Sequence, residues 1–405
     1  MKTSYYIRIF GLSIITITMI VIVSSYIARR NISDAPYLVL AGDVSSDYTA
    51  PVFLKTDGLN NSNEAVEEYP YTEAGYEDVY EPEEEIYEDY PDYNIYEGPE
   101  VITITISAAG DTTLGGDSRW HGYHAFMREY NNNGLRHFFY NVRHIFGESD
   151  LSIVNLEGVL TDITEPHMDK QFVFRGPPHF ARILTYGNIN AVTIANNHTI
   201  DFFDRGYRDT AAALEREDIA YFGNEFNTIM EINGIYVGLF GFRVWNDGSY
   251  NRSRITNAIN DLKDRGAQLI IAYHHWGVER VTYPEQYQIN MGRFTIQQGA
   301  HLVLGAHPHV LNGVEIYQGR NIVYSLANFS FGGNANPPDQ DSMIFQQTFT
   351  FVDGELQEDN ETNIIPVFVS SVRYRNNFKP TIAQGYDAER ILGRIRRYSE
   401  ALAWR

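Results

Sequence analysis

Five short apolar runs between residues 101 and 304 each lead into side chains that can bind a metal, and this ordering constrains the fold most. Residues 101–107, Val-Ile-Thr-Ile-Thr-Ile-Ser, alternate apolar and polar, the two-residue period of a strand. They lead to Asp111. The runs at 151–154, 191–195, 269–273 and 302–304 lead to Asn155 and Glu157, to Asn196, Asn197 and His198, to His274 and His275, and to His307 and His309. Between them the pattern predicts helices at about 178–186, 205–217, 252–265 and 284–299. Strands alternating with helices predict an α/β fold with a mainly parallel sheet. Ligands of such sheets bind beyond the carboxyl ends of the strands.

Asp111, Glu157, Asn197, His275, His307 and His309 are therefore expected to converge. Carboxylates supply hard anionic oxygens, and one carboxylate can bridge two cations. Neutral imidazoles complete a shell for Zn, Mn or Fe. Five of the twelve histidines fall at these strand ends. Singly, each residue has an ordinary reading. His307-Pro308-His309 fits a surface turn, Asp111 a cap, and Asn196-Asn197-His198 a polar turn. Glu157 fits a partner for a structural arginine, and His274 fits packing better than ligation. Jointly they point to a metal or catalytic centre.

Composition narrows the chemistry. The 405 residues include no cysteine, which excludes disulfides, Cys-ligated zinc, iron–sulfur clusters and a Cys nucleophile. A hydrophobic content of 43% excludes a wholly disordered chain. The net charge of −21 argues against nucleic acid as a partner. Much of that charge is local. Residues 64–100 hold fifteen Asp or Glu, eight Tyr and no Lys or Arg. Residues 31–100 accordingly read as a disordered acidic spacer, reaching roughly 45–50 Å as a coil. Residues 9–27 are nineteen uncharged residues flanked by Lys2, Arg8, Arg29 and Arg30. As a helix they span roughly 28 Å, so residues 1–30 read as an uncleaved signal anchor in preference to a cleaved signal peptide. The expected localisation is a single-pass cell-membrane protein with its globular domain extracellular.

Several motifs resemble one family. They are Gly110-Asp111-Thr112-Thr113-Leu114-Gly115, Asn155-Leu156-Glu157, Phe174-Arg175-Gly176-Pro177-Pro178 and Ala195-Asn196-Asn197-His198-Thr199-Ile200-Asp201. His275-Trp276-Gly277-Val278-Glu279, Gly305-Ala306-His307-Pro308-His309-Val310 and Tyr324-Ser325-Leu326-Ala327-Asn328-Phe329 follow in order. Together they resemble the CapA proteins of capsule synthesis, associated with poly-γ-glutamate, over about 103–335.

The resemblance implies a metallophosphoesterase-like sandwich of two β-sheets flanked by helices at 101–340, completed by C-terminal strands and a helix at 341–405. It implies one or two divalent metals, with Glu157 bridging, Asn197, His275, His307 and His309 as ligands, and His198 as catalytic acid. Asp201 and Glu279 would orient His198 and His275, with Asn155, His274 and Asn328 as further supporting partners. Arg175 is a candidate clamp for an anionic substrate. One departure stands out: the phosphoesterase pattern opens with Asp-x-His, and here the third position is Thr113. Ala327 stands where Gly is usual, and Ala306 where many members have His or Ser.

The implied partners are the membrane, polymer synthase or export subunits, and an anionic polymer or phosphate-containing substrate. Two other activities fit the same residues. One is an extracellular metal-dependent phosphoesterase or amidase. The other is a non-catalytic subunit that binds polymer, with Arg373, Arg375, Lys379 and the run Arg390, Arg394, Arg396 and Arg397 as candidate contacts.

Overall fold

The structure is a computed structural model and describes residues 52–54, 98–166, 170–358 and 361–403. Two large sheets pack face to face with helices on their outer sides. The nine-stranded sheet runs Thr381–Ile382, Glu361–Phe368, Asp341–Val352, Val101–Thr113, Leu151–Leu156, Ala191–Thr193 and Ala220–Phe222, with two short strands beside this path. The eight-stranded sheet runs Val52–Leu54, Thr228–Ile232, Ile235–Phe240, Leu269–Trp276, Leu302–Ala306, Arg320–Val323 and Val314–Tyr317, with one strand beside it.

Each predicted strand is present, but the five are divided. Val101–Thr113, Leu151–Leu156 and Ala191–Thr193 are parallel in one sheet, and Leu269–Trp276 and Leu302–Ala306 are parallel in the other. The single mainly parallel sheet expected from periodicity is thus corrected to two mixed sheets. Asp341–Val352 lies antiparallel to both Val101–Thr113 and Glu361–Phe368.

Period-two alternation explains the layering. Ile153 faces the core between the sheets while Val154 faces the helices. Leu269 and Ile271 face inward while Ile270 and Ala272 meet the helices Ser249–Asp264 and Gln286–Gln298. Tyr273 Oη donates to the Ala109 carbonyl at 2.8 Å and ties the two sheets near their carboxyl ends. The helix Gly385–Leu402 sends Ile391 and Ile395 into the same core.

The structure contradicts the single-pass localisation: no helix among the described residues is long and apolar enough to cross a membrane. Segment 9–27, which carries the anchor reading, lies outside them. So does the expected spacer, apart from 52–54 and 98–100. The strand Val52–Leu54 pairs parallel with Thr228–Ile232, so this piece of the spacer region is in a sheet.

The candidate basic groove is also reduced. Arg375 pairs with Glu129 at 2.5 Å, Arg373 with Asp387 at 3.5 Å, and Arg390 and Arg394 with Asp341 and Asp339. These charges serve the fold before any polymer.

Candidate metal centre

The two sheets deliver different donors to one place. The nine-stranded sheet brings acids and amides, and the eight-stranded sheet brings imidazoles. Asp111 follows a register break against Leu151–Leu156. Its amide donates to the Ala327 carbonyl at 2.9 Å, an approach that requires Gly110, because a Cβ there would lie 1.8 Å from that oxygen. Ala327 itself has φ +65°, a backbone shape suited to glycine.

Asp111 is fully buried. Its Oδ1 accepts from Asn155 Nδ2 at 2.8 Å, and its Oδ2 accepts from the His307 amide at 3.2 Å and lies 3.0 Å from His309 Nδ1. Asn155 Nδ2 also lies 3.3 Å from His275 Nδ1, and its Oδ1 accepts from Asn196 Nδ2 at 3.2 Å. Asn155 is thus the hub that joins Asp111, His275 and the Asn196 turn.

Glu157 is 0% exposed and neither carboxylate oxygen has a hydrogen-bond partner. Three imidazole nitrogens surround it. His275 Nε2 and His198 Nε2 lie 3.8 and 3.9 Å from Oε1, and His309 Nδ1 lies 3.9 Å from Oε2. These distances are too long for hydrogen bonds. They suit atoms that share an ion, since two donors each about 2.1 Å from a tetrahedral metal sit about 3.4 Å apart.

His307 Nδ1 is also buried without a partner. Among the described residues, three sets have donor atoms within 4.8 Å of one another inside each set: Glu157, His275 and His307; Asp111, Glu157 and His309; and Glu279, His307 and His309. Glu157 belongs to the first two. Asn197 Oδ1 sits 2.8 Å from His275 Nε2 and extends the first set. A buried carboxylate with no partner is costly unless paired or bound to a cation, so the donor set fits a divalent metal.

Electrostatics agree. Burial, helped by the Asp111 charge, pushes the Glu157 carboxyl well above the usual carboxylate range. Burial, helped by His307 and His309, holds His275 well below the ordinary imidazole value. Burial, helped by His309, brings His307 down to about 3. Burial also pulls on His309, but the Glu157 charge and the bond to Asp111 outweigh it and push it up to about 10. His275 and His307 are therefore neutral and ready to ligate, while His309 holds a proton that a cation would displace.

His198 stands beside this cluster. Its Nδ1 lies 2.6 Å from Asp201 Oδ2, and its ring stacks on Phe174 with centroids 4.0 Å apart. Asp201 also accepts from the Phe174 amide at 2.6 Å and from Lys170 Nζ at 2.6 Å, and Lys170 donates to the Asn197 carbonyl at 2.5 Å. Sequence reasoning missed Lys170, whose only signal is a lone cation ahead of the Phe174-Arg175 motif. It also missed Trp245, which packs edge-on against His307 with centroids 4.8 Å apart.

The other candidates differ in how near they come. The Arg175 guanidinium donates to the Thr161 carbonyl at 3.3 Å and sits 5.8 Å from the Phe202 centroid, contacts away from the imidazoles. Arg175 still borders the same narrow crevice as Glu157 and Thr113. His274 points to the opposite face of its strand, 3.2 Å from Thr295 Oγ1, and burial lowers it to about 3. Asn328 Oδ1 lies 2.9 Å from His309 Nδ1, the nitrogen that also faces Asp111 and Glu157. Glu279 is exposed, within ligand range of His307 and His309. Thr113 turns its hydroxyl to the Glu157 carbonyl at 2.8 Å.

The family model described as bacterial capsule synthesis protein PGA_cap matches residues 105–333. The PGA biosynthesis protein CapA of Bacillus subtilis (strain 168) is 26% identical over 219 residues, 49% of this chain and 57% of that protein. The capsule biosynthesis protein CapA of Bacillus anthracis is 27% identical over 185 residues, 40% of this chain and 45% of that protein. The chain thus spans about half the length of these relatives. A hypothetical protein from Thermus thermophilus superposes with a TM-score of 0.40 at 14% identity, covering 65% of this chain and 99% of that one. The family match spans more than half of the chain, and the chain belongs to the bacterial capsule synthesis protein family.

Proposed function

We propose that this chain serves capsular polymer biosynthesis of the poly-γ-glutamate type through a metallophosphoesterase-like centre that cleaves a phosphoryl or acyl bond. One observation carries the reading: Glu157 is wholly buried, has no hydrogen-bond partner, and is ringed by three imidazoles at 3.8–3.9 Å. Asp111, Glu157, Asn197, His275, His307 and His309 would hold one or two ions of Mn, Zn or Fe type. When bound, such ions supply Lewis acidity and acidify water near neutral pH.

The chain's own groups do the rest. Asp201, fixed by Lys170 and the Phe174 amide, holds His198 by Nδ1. That leaves Nε2, on the Glu157 side, to give a proton to the leaving group. Phe174 stacks on the His198 imidazole and Trp245 packs edge-on against His307, which fixes the planes of both rings. The implied partners are the subunits that make or export the polymer, with the anionic polymer or a phosphate-containing precursor as substrate.

A second reading is a subunit that binds polymer without turnover. Thr113 favours it, because one expected imidazole is missing from the opening strand.

The test is hydrolysis of phosphomonoester, phosphodiester and γ-glutamyl substrates by metal-loaded wild type and His198→Ala. A loss of roughly 10²–10⁴-fold on one substrate class is expected. Unchanged hydrolysis of every substrate by His198→Ala would remove the catalytic assignment.

A further inference from the structure

We infer that Glu279 is itself a metal ligand, supplying from the eight-stranded sheet the donor that Thr113 fails to supply from the other. This rests on the metal-centre reading above and goes beyond it in naming the ligand. The set Asp111, Glu157 and His309 offers three donors, one short of a tetrahedral shell. Thr113 brings no imidazole to that set, and its hydroxyl is turned to the Glu157 carbonyl at 2.8 Å.

Glu279 meets that set at His309, its carboxylate lying within 4.8 Å of the donor atoms of His307 and His309. The imidazole Nδ1 of His307, 8% exposed, has no hydrogen-bond partner. Glu279 is not on a free loop. The Arg280 amide donates to the Pro308 carbonyl at 2.8 Å, and Asn312 Nδ2 donates to the Val281 carbonyl at 3.0 Å. At the turn, Gly277 has φ +88° and its amide donates to the Tyr287 hydroxyl at 2.7 Å. The loop carrying Glu279 is therefore stitched to the loop carrying both histidines. An exposed carboxylate placed this way can close a coordination shell without being buried.

The test uses the full chain, stripped by chelator and titrated with Mn²⁺ while free Mn²⁺ is read by EPR, with Co²⁺ absorption as a second readout. Wild type should bind two equivalents. Glu279→Gln should keep one and weaken the other by more than the roughly 10–100-fold that loss of an outer partner costs. It should also change the Co²⁺ ligand-field bands, whereas Glu279→Asp, which keeps a carboxylate, should retain part of the affinity.

Two equivalents bound by Glu279→Gln at unchanged affinity, or only one bound by wild type, overturns the assignment. If His307→Ala/His309→Ala abolishes binding while Glu279→Gln leaves it intact, the metal centre stands and this ligand falls. If wild type binds none, both fall together.

Discussion

Glu157 and Asp341 are both buried carboxylates at strands of the nine-stranded sheet, and the chain completes only one of them. Asp341, 5% exposed, accepts from Arg390 Nη1 and Nη2 at 2.6 and 2.7 Å and pairs with Arg394 as well. Burial would raise it, but hydrogen bonds from Arg390 and Arg394 hold it below the usual carboxylate range. Glu157, 0% exposed, has imidazoles around it at non-bonding distance and is pushed up. A structural acid carries its counter-charge in the same chain. An acid built to receive an ion has none hydrogen-bonded to it. That contrast separates fold from site more clearly than residue type, since both are ordinary acids at the ends of apolar runs.

The sharpest way to break the contrast is to strip each acid of what completes it. Arg390→Ala/Arg394→Ala leaves Asp341 buried and unpaired, and should cost about 3–5 kcal/mol in urea unfolding. A loss under about 1 kcal/mol would mean Asp341 does not depend on its arginines. For Glu157 the completing group is added, not removed. Divalent metal at one hundred times its Kd should stabilise wild type by about 2.7 kcal/mol in thermal melts. Glu157→Gln should abolish that gain without lowering metal-free stability.

The two acids should also tilt pH profiles in opposite directions. Asp341 has a lowered folded value, so its contribution is present above the unfolded pKa, about 3.9, and is lost as pH falls through the folded one. Asp341→Asn should flatten the acid limb of a stability curve. Glu157 is raised, so in metal-free protein the stability it favours lies below its unfolded pKa and is lost as pH rises through the folded value. His309, raised to about 10, keeps its proton at neutral pH. Metal must displace that proton, and the raised Glu157 carboxyl must also be ionised to ligate, so metal affinity should rise at least about tenfold per pH unit between about pH 6 and 8. A pH-independent affinity would contradict the His309 assignment. The smallest effect belongs to Lys170, one of three groups on Asp201. Lys170→Met should cost about 1.5 kcal/mol and leave metal content unchanged.

Much of this was legible in the sequence, for physical reasons. Apolar runs marked Leu151–Leu156 and Leu269–Trp276, and helical spacing marked Phe203–Glu215 and Gln286–Gln298. The strand-end rule then gathered Asp111, Glu157, Asn197, His275, His307 and His309, and the structure brings them together. The division into two sheets came only from the family resemblance and not from periodicity, because it depends on pairings as remote as Val101–Thr113 with Asp341–Val352. Periodicity records which face is buried, not against which partner. The face taken by His274 was available from strand alternation with His275. Lys170 and Trp245 sit outside the long periodic elements, where no period points at the site.

The central claim is that the strand-end cluster is a metal centre. Elemental analysis of the purified full chain, beside His307→Ala/His309→Ala, tests it most directly. Wild type should carry near-stoichiometric divalent metal, after soaking with Mn²⁺ or Zn²⁺ if needed, and the double variant should lose it. No metal in either protein after soaking would contradict it.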